Sequence, residues 1–364
     1  MTEPVCVPDA ALSRAIARHR EFFAGRRAFL VKVNVPVRVE AELVAAPAYD
    51  TLDWDRDFDA YVQANVANAK ITARQRLALG IGDDWLPCYF PYFGISIHHS
   101  FFGGQVQFSH GTSYADPVIA RAAEWPRLHP DMQNPWIQKL ARGLRYSRDH
   151  GDGVLFASYR GANGPLDMAN GVMGNSLFTE FYDDPENLRR VMEICTRATL
   201  DTLDLQKQNN SAVEGGRIVP MGALWVPDPM AGHISLDAAC LAGPDLYDEF
   251  EKPYLEAITD QTKGVIVHTH MLGRGCFAAM CRTRGIRVFA PVDDPSQPAL
   301  VDVLDEVLAA AGDIPLMVSI PHARFADALP RLQGRRAVIQ LYATNADDAR
   351  AQMDELNRSC PLER

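Results

Sequence analysis

The chain has 364 residues, 47% of them hydrophobic, enough to bury a large core as one large domain or two ordinary ones. A formal net charge of −10 and a pI near 5.5 argue against nucleic acid and anionic membrane as partners, which need a basic footprint, and point to a small-molecule substrate. The seven cysteines (Cys6, Cys88, Cys195, Cys240, Cys276, Cys281 and Cys360) are scattered, odd in number and form no CxxC, so a reducing cytoplasm is expected rather than a disulfide framework.

The opening MTEPVCVPDAALSRAIARHREF turns quickly into a polar helical pattern with no apolar h-region, and residues 1–26 read as an N-terminal helical segment. No run reaches the roughly 18 apolar residues that span a bilayer, so neither export nor membrane insertion is expected. Eight strand-like runs follow, at 29–35, 86–92, 153–159, 217–224, 264–269, 286–291, 315–320 and 337–341, with helical patterns between them. The last four leave room for one helix per parallel crossover, which needs at least about a dozen residues. The clearest helix follows Asp183-Asp184-Pro185. An aspartate caps it, proline takes the first helical position, and Leu188, Val191, Met192 and Cys195 fall on one face. This order predicts an α/β protein, a single (β/α)8 TIM barrel over 1–364 with an elaborated N-terminal half; a doubly wound open sheet is the second reading. Neither GxGxxG after a strand nor GxxxxGK[ST] occurs, which argues against a dinucleotide fold and a phosphate-cradling loop.

Barrel chemistry sits at the C-terminal strand ends, so those ends are where functional residues are sought. GISIHHSFFGG after the second run carries His98 and His99, which face opposite ways if extended. The third run ends in SYRGANGPLDMANGVMGN, with Arg160, Asn163, Asp167 and Asn170 among glycines that let backbone approach a ligand closely. The fourth continues into GALWVPDPMAGHISLD, whose Trp225, Asp228, His233 and Asp237 lie in a long connection read as an ordered substrate wall. The fifth delivers His268 and His270 to its own end; two apart on a strand, they share a face, the geometry of a metal clip, although a packed imidazole bonded to a carboxylate is the plainer alternative. The sixth ends in PVDDP, where Asp294 before Pro295 reads as a helix cap.

Three stretches, GPLDMANGVMGNSLFTEFYDDPENLRRVMEICTRAT, SLDAACLAGPDLYDEFEKPYLEAI and VIVHTHMLG, resemble the uroporphyrinogen decarboxylase superfamily and run in that family's order over residues 83–355. The resemblance implies a (β/α)8 barrel with a deep cleft at the strand C-termini. Porphyrinogen decarboxylases carry an arginine-rich motif of the kind RQAGRY near the first strand, where this chain reads FLVKVNVPVRVEAE, with Lys32 and Arg38 but no paired arginines. Decarboxylation of a porphyrinogen with its eight carboxylates is therefore not expected. The corrinoid-linked methyltransferase branch holds zinc with an HxC pair and a late cysteine on the final strand. Here His268 matches the family histidine, His270 stands where cysteine is expected, and VIQLYATNADDA has no cysteine.

What the resemblance implies is a cytoplasmic methyltransferase of the corrinoid-linked type, with zinc at His268 and His270. Candidates for a further ligand are Asp237, His233, His98, His99 and Cys276. A corrinoid such as methylcobalamin would be the methyl carrier, with a corrinoid protein as partner. Asp167, Asp237, Tyr159, Tyr254, His268 and His270 are the candidate acid/base or activating groups, and Arg160, Asn163, Trp225, His233, His98 and His99 the candidate substrate contacts, with Tyr254 and Trp225 as the wall. A metal-free decarboxylase or lyase acting on a small carboxylate or tetrapyrrole, with Arg160 holding the acid group, is the alternative; a non-catalytic corrinoid or tetrapyrrole binder is the third.

Overall fold

The computed structural model describes residues 9–39 and 43–359; Cys6, Cys360 and residues 1–8 of the N-terminal segment lie outside the described residues. Its strands in chain order are β1 Phe29–Asn34, β2 Cys88–Tyr89, β3 Val106–Ser109, β4 Thr112–Ala115, β5 Phe156–Ala157, β6 Ala162–Asn163, β7 Gly216–Val219, β8 Leu224–Pro227, β9 His233–Ser235, β10 Val265–His270, β11 Ile286–Val292, β12 Leu316–Ser319 and β13 Ala337–Tyr342. Seven of them form one parallel sheet in the order β1-β13-β12-β11-β10-β9-β6, and β2 pairs in parallel with β5. Helices connect the parallel strands, which makes the chain an α/β protein; the longest, Pro185–Asn209, begins where the DDP signal places it, with the Asp184 carboxylate accepting from the Asn187 N–H.

Each of the eight runs contains a strand; the second and third pair in parallel with each other outside the seven-stranded sheet, and the fourth makes no parallel pairing. Pro220 removes a backbone donor and Gly222 turns the chain at φ 68°, so β7 folds back on β8 as an antiparallel hairpin. The place beside β10 belongs instead to β9, three residues long. The connection 222–237 therefore contains a hairpin strand, Leu224–Pro227, and a sheet strand, His233–Ser235.

Period-2 alternation sorts the sheet's two faces. Phe29, Val31, Val33, Val265, Val267, Phe289, Leu316, Val318, Ile339 and Leu341 join the core formed with the helices. Leu30, Ile266, Val288, Ala290, Met317 and Val338 face the other way and pack with Trp225, Val226, Ile218 and the Leu12, Ile16 and Phe22 face of helix Ala10–Phe23. The hairpin and this helix therefore cover the apolar part of this second face of the sheet. His268 and His270 continue the inward-facing row of Ile266, beyond the apolar layer.

Among the described residues β1 and β2 share no strand pairing. Two carboxylates stand in for it: Asp84 Oδ2 accepts from the Val31 N–H at 2.7 Å, Asp83 Oδ2 from the Val33 N–H at 2.8 Å, and the Asp84 N–H donates to the Val31 carbonyl at 2.7 Å. Arg18 pairs with Asp84 and Arg76 with Asp83. Buried charge-assisted bonds of this kind contribute about 1.5–3 kcal/mol each when fully satisfied. No helix among the described residues is long and apolar enough to cross a membrane.

Candidate metal centre

Strand β10 carries His268 and His270 on its inward face, and the turn after β9 brings Asp237 to them. Ligand atoms of the three residues lie within 4.8 Å of one another. Asp237 Oδ1 is 3.9 Å from His268 Nε2 and 3.6 Å from His270 Nε2, and the two rings meet edge to face at 5.1 Å. Tetrahedral zinc with bonds of about 2.0–2.1 Å needs donors roughly 3.3 Å apart, so this set stands somewhat wider than a bound ion requires.

Two further carboxylates hold the triad. His270 Nδ1 lies 2.8 Å from Asp294 Oδ1, and the other Asp294 oxygen accepts from the Leu272 N–H at 2.8 Å. A ring that donates through Nδ1 to a carboxylate presents its Nε2 lone pair, the arrangement found behind metal-bound histidines. Burial opposes the charge on Asp294, yet the Leu272 N–H and the His270 ring together hold its pKa below the usual carboxylate range. Asp294 is thus an orienting group for His270 and not the helix cap the sequence suggests; it is Asp293 that accepts from a later N–H, that of Leu300. Asp167 does the same for the third ligand, since its two oxygens accept from the Asp237 and Ala238 N–H groups at 3.2 and 2.6 Å. Burial and the neighbouring Asp237 charge raise the Asp167 pKa. It positions the Asp237 turn.

Burial lowers the His268 pKa, only partly opposed by Asp237, and so favours the neutral imidazole that a metal requires. Two imidazoles and one carboxylate with converging donors fit a divalent first-row ion such as zinc.

Of the other expected ligands, Cys276 is buried at the end of the turn Met271–Cys276 and does not belong to the group. His98 and His99 lie on a 3-10 turn, Ser96–Phe102, rather than an extended segment. His98 Nδ1 meets Asn163 Oδ1 at 2.8 Å. The His99 ring packs where a Cβ on Gly171 would come within 2.1 Å, and His233 Nε2 where a Cβ on Gly161 would come within 2.1 Å. These glycines make room for histidine rings, and Gly161 also lines the neighbouring cavity. His99, Arg160, Asn163, His233, Asp237 and His268 together line a cavity of ≈260 Å³. Met221, at the hairpin tip, separates it from a second cavity of ≈490 Å³ at the ends of β11–β13.

Two expected wall residues stand elsewhere. Trp225 is 2% exposed in the apolar layer, where its Nε1 donates to the Val213 carbonyl at 2.8 Å. Tyr254 packs half-buried on the helical side, its hydroxyl 3.4 Å from the Arg189 carbonyl. Tyr159 is also buried with the apolar layer, and Asp228 pairs with Arg217.

No family model matches the chain and no curated protein sequence matches it. Among solved structures 16 chains match. One is the homocysteine methyltransferase MmuM from Escherichia coli, metallated form, 12% identical, covering 93% of this chain and 99% of that chain with a TM-score of 0.33. A superposition that loose supports neither a shared activity nor a shared site.

Proposed function

We propose that this chain is a metal-dependent (β/α)8-barrel enzyme that activates one end of a small molecule at Asp237, His268 and His270. The observation that carries this reading is the convergence of those three donors, two of them backed by their own carboxylates, at the C-terminal end of a parallel sheet. Asp83 and Asp84, bridging β1 to the segment before β2, support closure of the sheet into a barrel.

When bound, zinc or a similar ion would supply a Lewis acid that polarises a ligated oxygen or lowers the pKa of a ligated nucleophile. The chain's own residues do the rest. Asp294 fixes the ring orientation of His270, Asp167 fixes the Asp237 turn, and burial favours the neutral form of His268. A set of two nitrogens and one oxygen is harder than the His/Cys set of the methyltransferases this sequence resembles, and leaves more positive charge on the ion. It suits an oxygen-bearing acceptor better than a soft thiolate.

Methyl transfer to that acceptor, in the cytoplasm and with a corrinoid carrier as donor, is the reaction the sequence resemblance adds. The ≈260 Å³ cavity is at the small end of ligand pockets, which run from about 300 to 1,000 Å³, so a corrinoid would be presented by a separate protein at the opening. Elemental analysis of untagged protein, with assays of methyl transfer from methylcobalamin, tests the reading. About one equivalent of metal and chelator-sensitive methyl transfer support it. Turnover of a carboxylate untouched by chelator would instead show a metal-free decarboxylase or lyase, and pigment binding without turnover a sequestering protein.

A further inference from the structure

Arg160, at the end of the strand segment before β6, is 5% exposed and lines the cavity beside the triad. One of its terminal nitrogens donates to the Gly94 carbonyl; the other approaches His98 Nε2 at 3.0 Å and the Gly161 carbonyl at 3.5 Å. His98 is neutral here, because its Nδ1 donates to Asn163 and both burial and Arg160 hold its pKa well below 6.5. Every partner of this guanidinium is therefore uncharged, and among the described residues no carboxylate comes within ion-pairing distance. Burial lowers its own pKa only to about 10, so it remains a cation at neutrality. An isolated buried charge is costly unless something neutralises it.

The same wall holds further unspent hydrogen-bonding capacity. Arg160 Nε, His99 Nε2 and His233 Nδ1 are all buried without a partner. An imidazole can present an N–H or a lone pair from either nitrogen according to its tautomer, so both rings adapt to an incoming polar group. Asp237 and His268 of the triad line the same cavity, the His268 ring 6.4 Å from that of His233.

We propose that Arg160, flanked by His99 and His233, is the subsite for a monocarboxylate group of the substrate, whose other end reaches Asp237, His268 and His270. One uncompensated positive charge calls for one negative charge. A dianion such as phosphate would leave net negative charge facing Asp237. The guanidinium fork matches a carboxylate's two oxygens, which also sets a carboxylate above a single-point anion. This inference deepens the proposed function by naming the substrate class, and it rests on that reading for what happens at the other end of the molecule.

The test is calorimetric titration of the full chain, as purified, with propionate, with propionamide as its uncharged counterpart, and with inorganic phosphate. Propionate should bind saturably, and propionamide and phosphate at least tenfold more weakly. Arg160→Gln should abolish propionate binding, Arg160→Lys should weaken it about tenfold or more, and His270→Ala should leave it within about threefold. The last variant separates a carboxylate on Arg160 from one on the metal, and absence of metal from the unaltered chain with saturable propionate binding would remove the metal reading alone. If Arg160→Gln does not fold, Arg160→Lys and the selectivity of the unaltered chain still decide. Equal binding of propionate and propionamide, undiminished binding in Arg160→Lys, or loss of binding in His270→Ala would each overturn the subsite.

Discussion

Two groups of histidines meet at one cavity, lined by His268 from the first and by His99 and His233 from the second, and they differ in the charge beside them. His268 and His270 sit against Asp237 and Asp294, at 3.9, 3.6 and 2.8 Å. His98, His99 and His233 sit within the influence of Arg160, which adds to burial in holding all three pKa values down, His99 to about 4 and His233 to about 3. The same side chain is thereby prepared for opposite work. Beside carboxylates an imidazole is oriented for a cation; beside a buried guanidinium it stays neutral and can serve an anion.

The comparison breaks first at the metal. His270→Ala and Asp237→Ala should each reduce bound metal from about one equivalent to under a tenth, whereas His99→Gln should leave it unchanged, as measured by elemental analysis. Next in size is Asp294→Asn, which keeps shape but weakens the acceptor behind His270; metal affinity should fall about 10- to 100-fold in a chelator competition.

A smaller effect separates the groups by pH. His99 has a folded pKa of about 4 against 6.5 in the unfolded chain, so the unfolded state binds the proton first as pH falls. Its contribution is fully present above pH 6.5 and is lost progressively as pH drops toward 4, with a size on the order of 3 kcal/mol. Urea unfolding of metal-free protein between pH 7 and pH 4.5 should therefore show a shallower pH dependence in His99→Gln than in the unaltered chain. Equal slopes would remove His99 from the neutral group. Smallest of all, Tyr254→Phe should change neither metal content nor propionate binding and should shift stability by less than about 0.5 kcal/mol, since its hydroxyl makes only a long contact away from the cavity.

How much of this was legible beforehand follows from the range of each signal. Period-2 apolar runs marked β10 to β13 because those strands are buried on one face by helices and on the other by the apolar layer, so nearly every position is selected for hydrophobicity. The same rule failed for 217–224: RIVPMGAL reads as one run, yet Pro220 and Gly222 make it a turn. Strand β9, only His233–Ser235, is too short for any periodicity to appear.

In the site, the pairing of His268 with His270 was local and readable from their spacing. Asp237 was one of several candidates, and only the fold could choose it, because it depends on which loop lies beside β10. Asp294 was visible but misassigned. An aspartate before proline carries a strong local capping signal, and its partner lies 24 residues upstream on another strand. Trp225 was misplaced for a related reason: aromatic content in a connection suggests a ligand wall, but a hairpin packed against helix Ala10–Phe23 buries the same ring for stability. The uncompensated charge of Arg160 has no sequence signature at all, since it is defined by which carboxylates are absent from its surroundings.

The most direct test of the metal centre is X-ray absorption spectroscopy at the metal edge of the protein as purified. The account predicts about one equivalent of metal whose nearest neighbours are nitrogen and oxygen only, near 2.0–2.1 Å, with the multiple-scattering pattern of two imidazoles. A sulfur neighbour near 2.3 Å, or a fully active protein with no metal, would contradict it.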